Sequence, residues 1–251
     1  NISSRNSELF SKSDCQAIVK KAIAEQLKKA HNCQTLPESD ALFPVRVQID
    51  KDIVTLSIDS SGTGLNKRGY RAHSDKAPLR ETLAAGLILL SNWNPEDDVL
   101  FDPCCGTGTI LIEAGLIAKN IAPGLERCFN SEQWKVIGRD LWQNTIREAR
   151  SRINPNATYR IYGSDISEDA LSIARKNIEL SGLTDIFVQK QDLRDSASRF
   201  ERGKLITNPP YGERLSDTQD VKALYNDLGR ICQEKFKDWS YYILTPDDEF
   251  E

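Results

Sequence analysis

After Ser13 and Asp14, which offer an N-cap, apolar side chains recur every three or four positions at Ile18, Val19, Ala22, Ile23 and Leu27, with Lys and Gln between them. That spacing predicts an amphipathic helix. The pattern then switches to a period of two. In "FPVRVQID" the residues Val45, Val47 and Ile49 alternate with Arg46 and Gln48, and in "IVTLSID" Val54, Leu56 and Ile58 alternate after a polar "DKD" turn, so a half-buried hairpin is expected. The first seventy-odd residues therefore read as a small α+β unit. "SSGTGLNKRGYRAHSDKAP" has no apolar period and marks a connecting loop.

From Pro78 the pattern predicts a helix with Leu79, Leu83, Leu87 and Leu90 on one face. Short apolar runs and helical stretches then alternate: the strand in "DDVLFDPCCGTGT", the helix "ILIEAGLIAKNIA", the strand "YRIYGSDI", the helix "SEDALSIARKNIELSG", and strands in "IFVQKQD", "GKLITNPP" and "WSYYILTPD". Alternating strands and helices with short connections predict an α/β fold, a doubly wound and mostly parallel sheet. Within the long insert from Leu125 to Asn156, "SEQWKVIGRDLWQNTIREARSRI" reads as an amphipathic helix after a loop, suited to packing or to a dimer surface.

Composition excludes several classes. Of 251 residues 39% are hydrophobic and 28% charged, and no apolar run approaches the roughly 20 residues of a membrane span. The start of the chain lacks a signal-peptide core, so a cytoplasmic protein away from membranes is expected. Six scattered cysteines without a C-x-x-C pair, and only two histidines, argue against a zinc site or a disulfide scaffold. Histidine-based acid–base chemistry has few candidates. The net charge of -4 divides unevenly: 13 Lys/Arg against 9 Asp/Glu in residues 1 to 80, then 20 against 28. A basic front and acidic rear fit two modules, or a chance distribution of solvated charge. The chain begins with Asn and contains no Met. It is expected to be a piece of a longer product or a sequence from which Met positions are missing, the latter shortening some spacings by a residue.

Ligands of doubly wound sheets bind outside the carboxyl ends of the strands. The first strand ends in "DPCCGTGT", where Gly106 and Gly108 let backbone approach a ligand at a helix start, simply make a tight turn, or belong to a degraded G-x-G-x-x-G dinucleotide fingerprint. The second ends at Asp165, placed to accept from ribose hydroxyls or to cap the helix near Ser167. The third ends at Asp192, a candidate for an adenine amino group, or a cap. The fourth ends in "NPPY", which is more specific. Pro209 and Pro210 stop the strand and hold Asn208 extended. The Asn208 side-chain oxygen and the Pro209 carbonyl can then accept the two N–H bonds of a planar amine while Tyr211 stacks on its ring. Catalysis at such a site comes from alignment and electrostatics.

In this order "DPCCGTGT", "GSD", "QD" and "NPPY" resemble the class I S-adenosylmethionine-dependent methyltransferases of exocyclic amines and amides. More narrowly, "KRGYR", "APLRETLAAGLI", "FDPCCGTGTILIEA" and "NPPYGERL" resemble the RlmL-type rRNA guanine-N2 methyltransferases, which carry a THUMP RNA-binding domain. The resemblance implies a partial THUMP domain with its linker over residues 1–73 and a methyltransferase domain with a Rossmann-like sheet over 74–251. A preceding ferredoxin-like domain and a closing strand pair of the sheet would be missing.

The resemblance further implies S-adenosylmethionine as cofactor, no metal, and 23S rRNA or a pre-50S particle as partner. Asp102, Pro103, Gly106, Thr107 and Gly108 match the loop around the methionine part, Asp165 and Ile166 the ribose contact, and Asp192 and Leu193 the adenine contact. Asn208 would serve both the cofactor and, with Pro209, Pro210 and Tyr211, the target base. Pro78 and Arg80 would border the cofactor, Arg80 near its carboxylate or merely at the surface. Lys67, Arg68 and Arg71 would meet RNA phosphates or remain solvated. An adenine-N6 or protein-glutamine methyltransferase, and a noncatalytic RNA-binding assembly factor, stay open as alternatives.

Overall fold

The computed structural model describes residues 1–37, 41–71, 78–210 and 218–246. Contacts divide the chain into two compact units, one of Asn1–Gly64 with Cys128–Thr145, the other of Leu65–Arg127 with Ile146–Glu251.

In the first unit, strands β1 (Ile2–Arg5), β2 (Val45–Asp50) and β3 (Ile53–Ile58) form a sheet in that order. The β2–β3 hairpin matches the period-two reading and pairs Val45 with Ile58 and Asp50 with Ile53. Its two-residue turn puts Lys51 and Asp52 at φ of 48° and 61°, the left-handed pair whose twist suits a tight hairpin. β1 adds a parallel pairing to β2 that the short polar run "ISSR" did not announce. Helix α1 (Lys12–Ala30) is capped by Ser11, whose side chain accepts from the Asp14 N–H, so it starts before the expected Ser13 and Asp14.

Residues 128–145 complete this unit. The Trp134 ring stacks on Phe43 with centroids 4.8 Å apart, and its Nε1 donates to the Leu42 carbonyl at 2.8 Å. Asn130 Nδ2 donates to the Asp59 carbonyl at 3.2 Å. The single amphipathic helix expected across this stretch is broken: a 3-10 turn (Asn130–Gln133) precedes Gly138 at φ +79°, and helix α4 (Arg139–Ser151) begins only there.

The second unit is the doubly wound sheet. Strands β4 (Val99–Asp102), β5 (Arg160–Asp165), β6 (Ile186–Lys190), β7 (Gly203–Thr207) and β8 (Ser240–Ile243) lie in the order β6-β5-β4-β7-β8, and all their pairings are parallel. Every residue of the central strand β4 is buried, as a parallel strand covered on both faces requires. Helices α2 (Glu81–Leu90), α3 (Thr109–Ala118) and α5 (Glu168–Leu180) follow the apolar spacing, but α2 starts at Glu81 rather than Pro78 because Arg80 is extended at φ -69°, ψ 138°. Helix α6 (Thr218–Lys235) was not anticipated. Through Leu228, Ile231 and Cys232 it packs a second core with Phe101, Leu205, Phe236 and Trp239.

Candidate active site

The chain order reverses between β4 and its neighbours β5 and β7, so the strand ends that carry the candidate residues converge at the switch point of the sheet. Asp102 closes β4, 1% exposed. Its Oδ1 accepts from the Thr207 hydroxyl at 2.7 Å and from the Cys104 N–H at 3.1 Å. Burial pushes this carboxyl up to about 7, against the two hydrogen bonds that favour its charged form and with repulsion from Asp165 adding to the rise.

The loop after β4 is held from both sides. The Cys105 N–H donates to the Ser164 carbonyl at 2.9 Å, and the Gly108 N–H donates to the Cys105 carbonyl at 2.8 Å. Gly106 and Gly108 adopt φ of +51° and +82°, a conformation that L side chains rarely take, and a Cβ on Gly108 would come within 3.3 Å of Ala174 Cβ. Gly108 thereby turns the chain into α3. Burial, reinforced by Asp102, raises the thiols of both Cys104 and Cys105 well above the ordinary range, which favours their neutral form.

Asp165 ends β5 and faces this loop. Its Oδ2 accepts from the Gly106 N–H at 2.8 Å and its Oδ1 from the Ser167 N–H at 2.9 Å. The cap of α5 is Ser167, which accepts from the Ala170 N–H, so Asp165 is not the helix cap. Each of its oxygens keeps a second lone pair for a hydroxyl ligand. Asp192 does act as a cap: it accepts from the Arg194 N–H at 2.9 Å and grips the Arg194 guanidinium, and those bonds hold its carboxyl below the ordinary range.

β7 delivers Asn208. The strand ends at Thr207, and residues 208–210 continue outside any regular element, as two prolines require. Asn208 Oδ1 is buried and accepts no hydrogen bond among the described residues. A buried carboxamide oxygen without a donor is costly unless a ligand supplies one. Tyr211 lies outside the described residues.

A cavity of about 320 Å³ opens here. Of the expected residues, Pro103, Asp165, Ile166, Asp192, Leu193 and Pro210 line it. Cys104 and Arg194 also line it, as do Ala223, Leu224 and Asp227 from the unanticipated helix α6. Asp102, Gly106, Thr107, Gly108, Asn208, Pro209, Pro78 and Arg80 are not among the described lining residues. Asp102 and the glycines instead shape the loop, and the Thr107 carbonyl accepts from Asn177 Nδ2 at 3.2 Å. Arg80 is exposed at the start of α2, where its carbonyl accepts from the Leu83 and Ala84 N–H groups. Three carboxylates and one guanidinium around an otherwise apolar wall favour a cationic ligand with hydroxyl and amine donors. No group of three or more His, Cys, Asp or Glu suited to a metal occurs among the described residues.

The basic linker departs from its expected role at two positions. The Arg68 guanidinium donates to Glu113 at 3.3 and 3.4 Å, with the Tyr70 hydroxyl donating to the same carboxylate at 3.1 Å. Arg71 pairs with Glu81 at 3.0 Å and donates to Thr109 Oγ1 at 2.7 Å and the Leu79 carbonyl at 3.2 Å. Glu81 and Glu113 are buried, and their negative charge accounts for the inward turn of both arginines. Lys67 alone of the three is exposed.

Comparison with known proteins places residues 68–251 in the family described as UPF0020, RMKL-like methyltransferase domain, and residues 1–59 in the THUMP domain family. The chain is 44% identical over 250 residues to the Bacillus subtilis protein named "Putative RNA methyltransferase YpsC", covering 98% of this chain and 64% of that protein. It is 38% identical over 215 residues to the "Ribosomal RNA large subunit methyltransferase K/L" of Shewanella baltica, covering 84% of this chain and 30% of that one. The crystal structure titled "SMU.472, a putative methyltransferase complexed with SAH" superposes with a TM-score of 0.92 at 38% identity, over 100% of this chain and 67% of that one. The chain thus spans less than two thirds of the length of these two curated relatives.

Proposed function

This chain belongs to the UPF0020 family of RMKL-like methyltransferase domains, and from that premise we propose that it transfers a methyl group from S-adenosylmethionine to an exocyclic amine of RNA, the N2 of a guanine in 23S rRNA. The observation that carries the reading is Asn208 Oδ1, buried just past the end of β7 with no hydrogen-bond partner among the described residues, beside a cavity whose wall includes Pro210. The cavity suits the cofactor. Asp165 has lone pairs left for the ribose hydroxyls, Ile166 and Leu193 offer apolar surface to the adenine, and the acidic balance suits a ligand with ammonium and sulfonium charges.

When bound, the cofactor supplies a sulfonium methyl: the amine lone pair forms the N–C bond as the S–C bond breaks, sulfur keeps that electron pair, and the amine proton passes to solvent. The chain's own part is positional. Asn208 Oδ1 and the Pro209 carbonyl accept the two N–H bonds of the amine, which turns its lone pair toward the methyl group and stabilises the charge that grows on nitrogen. The two prolines keep that pair of acceptors rigid. The THUMP match over residues 1–59 and the relatives' names support RNA as the substrate class.

The test is to incubate the full-length protein with labelled cofactor and, separately, unmodified rRNA, DNA and protein, with Asn208→Ala as control, and to digest any labelled RNA to nucleosides. N2-methylguanosine that disappears in the variant is the expected result. Label on an adenine N6 or a protein glutamine would replace the guanine reading. Cofactor binding without transfer to any of the three would point to the noncatalytic factor.

A further inference from the structure

Thr207 and Asp102 end adjacent parallel strands, β7 and β4, and both are almost wholly buried. Their side chains meet in a 2.7 Å hydrogen bond from the Thr207 hydroxyl to Asp102 Oδ1. The same oxygen accepts from the Cys104 N–H, so one atom ties the end of β7 to the turn that opens the glycine loop. On its other side the Thr207 carbonyl accepts from the Leu244 N–H at 3.0 Å. Thr207 is therefore fixed at both ends of its residue. The adjoining Asn208-Pro209-Pro210 segment loses two backbone N–H groups to proline and with them two chances of anchoring itself. The position of the Asn208 side-chain oxygen then depends heavily on the residue before it.

We propose that Thr207 is a positioning residue for methyl transfer, its hydroxyl clamped by Asp102 so that the amine-binding Asn208 and the cofactor loop keep one fixed spacing. The inference rests on the transfer reading above and adds to it a residue that does not touch the reacting atoms. A valine fills the same volume but cannot donate, whereas a serine donates without the methyl group. A misplacement of the order of 1 Å between reacting groups lowers a rate about 100-fold, so a loss of one to two orders of magnitude is the scale to look for.

The clamp also acts on the carboxyl itself. The Thr207 hydroxyl favours the charged form of Asp102, opposing the burial that raises it to about 7. The other groups facing this carboxyl are Cys104 and its N–H in the following loop, Cys105, and Asp165 at the end of β5, whose charge works against ionisation. Without the hydroxyl the carboxyl must rise further. A cofactor with an ammonium group then binds weakly up to a higher pH, because the neutral acid attracts it less.

The experiment compares wild type, Thr207→Val, Thr207→Ser and Thr207→Cys for single-turnover transfer to RNA and for S-adenosylhomocysteine affinity from pH 5.5 to 8.5. Expected are a Val variant at least about tenfold slower, a Ser variant near wild type, and an acid-side affinity midpoint that moves upward in Val but not in Ser, in line with the loss of a hydrogen bond to a charged group. Should the Val variant not fold, the Cys variant, a weaker donor of similar bulk, must show both effects at smaller size. A Val variant, or in its place a Cys variant, with wild-type rate and an unmoved midpoint overturns the proposal, as does a Ser variant as slow as Val. If wild type binds the homocysteine product but transfers to no RNA, the transfer reading and the Thr207 role in transfer fall together. The midpoint comparison then still decides separately whether the clamp governs Asp102.

Discussion

The Gly106 N–H donates to Asp165 Oδ2 across 2.8 Å, joining the glycine loop after β4 to the carboxylate at the end of β5. The bond uses one set of Asp165 lone pairs to fix the loop, and under the proposed function the other set receives the ribose hydroxyls. Replacing Asp165 with Asn removes the charge and one of the acceptors. S-adenosylhomocysteine affinity is expected to fall by about 10- to 100-fold, the range for a lost hydrogen bond to a charged group. Calorimetric titration checks it, and an unchanged affinity would count against the ribose role.

Arg71 predicts a stability effect rather than an RNA effect. Its partner Glu81 has a side chain only 5% exposed, so Arg71→Met strands a buried charge and is expected to cost about 3–5 kcal/mol of unfolding free energy. Arg71→Met with Glu81→Gln should recover a large part of that loss. Denaturant unfolding of the two variants measures the difference.

Lys67 makes the opposite prediction. As the one of these three cations that is exposed, it is expected to contribute one phosphate contact, so Lys67→Ala should lower RNA affinity and reduce the salt slope of binding by about 1, leaving stability unchanged. Filter binding over a series of salt concentrations reads both quantities.

Asp102 sets a pH dependence. Its carboxyl holds a proton to about pH 7 in the fold against an ordinary value of 3.8, so the folded chain binds more protons between those limits. Its contribution to stability is full below about pH 4 and is lost as pH rises through about 7. Asp102→Asn cannot titrate. The unfolding free energy of wild type relative to this variant should therefore decline steadily from pH 4 to pH 7 and flatten above, in denaturant titrations at matched pH. A constant difference would contradict the buried, proton-holding carboxyl.

The sequence was most legible where a local pattern decides the structure. Alternation placed the β2–β3 hairpin, continuous apolar runs placed β4, β5 and β7, and the glycine and proline strings marked the loops that form the cavity. It was less legible where the deciding partner is remote. Arg68 and Arg71 look like solvated cations until Glu113, 45 residues on, and Glu81 come to meet them. Trp134 reads as part of a helix, yet its partner Phe43 lies in the other chain segment of the first unit. Helix α6 supplies Ala223, Leu224 and Asp227 to the cavity without any motif, because the residues that shape an apolar wall need only be near, not of a particular kind.

The first unit is assembled from two separate stretches, Asn1–Gly64 and Cys128–Thr145, with part of the second unit running between them in sequence. Such a module cannot be detached by one cut. A recombination breakpoint at the linker would carry Phe43 away from Trp134 and leave each product with an unfinished surface. A chimaera that exchanges the first unit must therefore transplant both stretches at once.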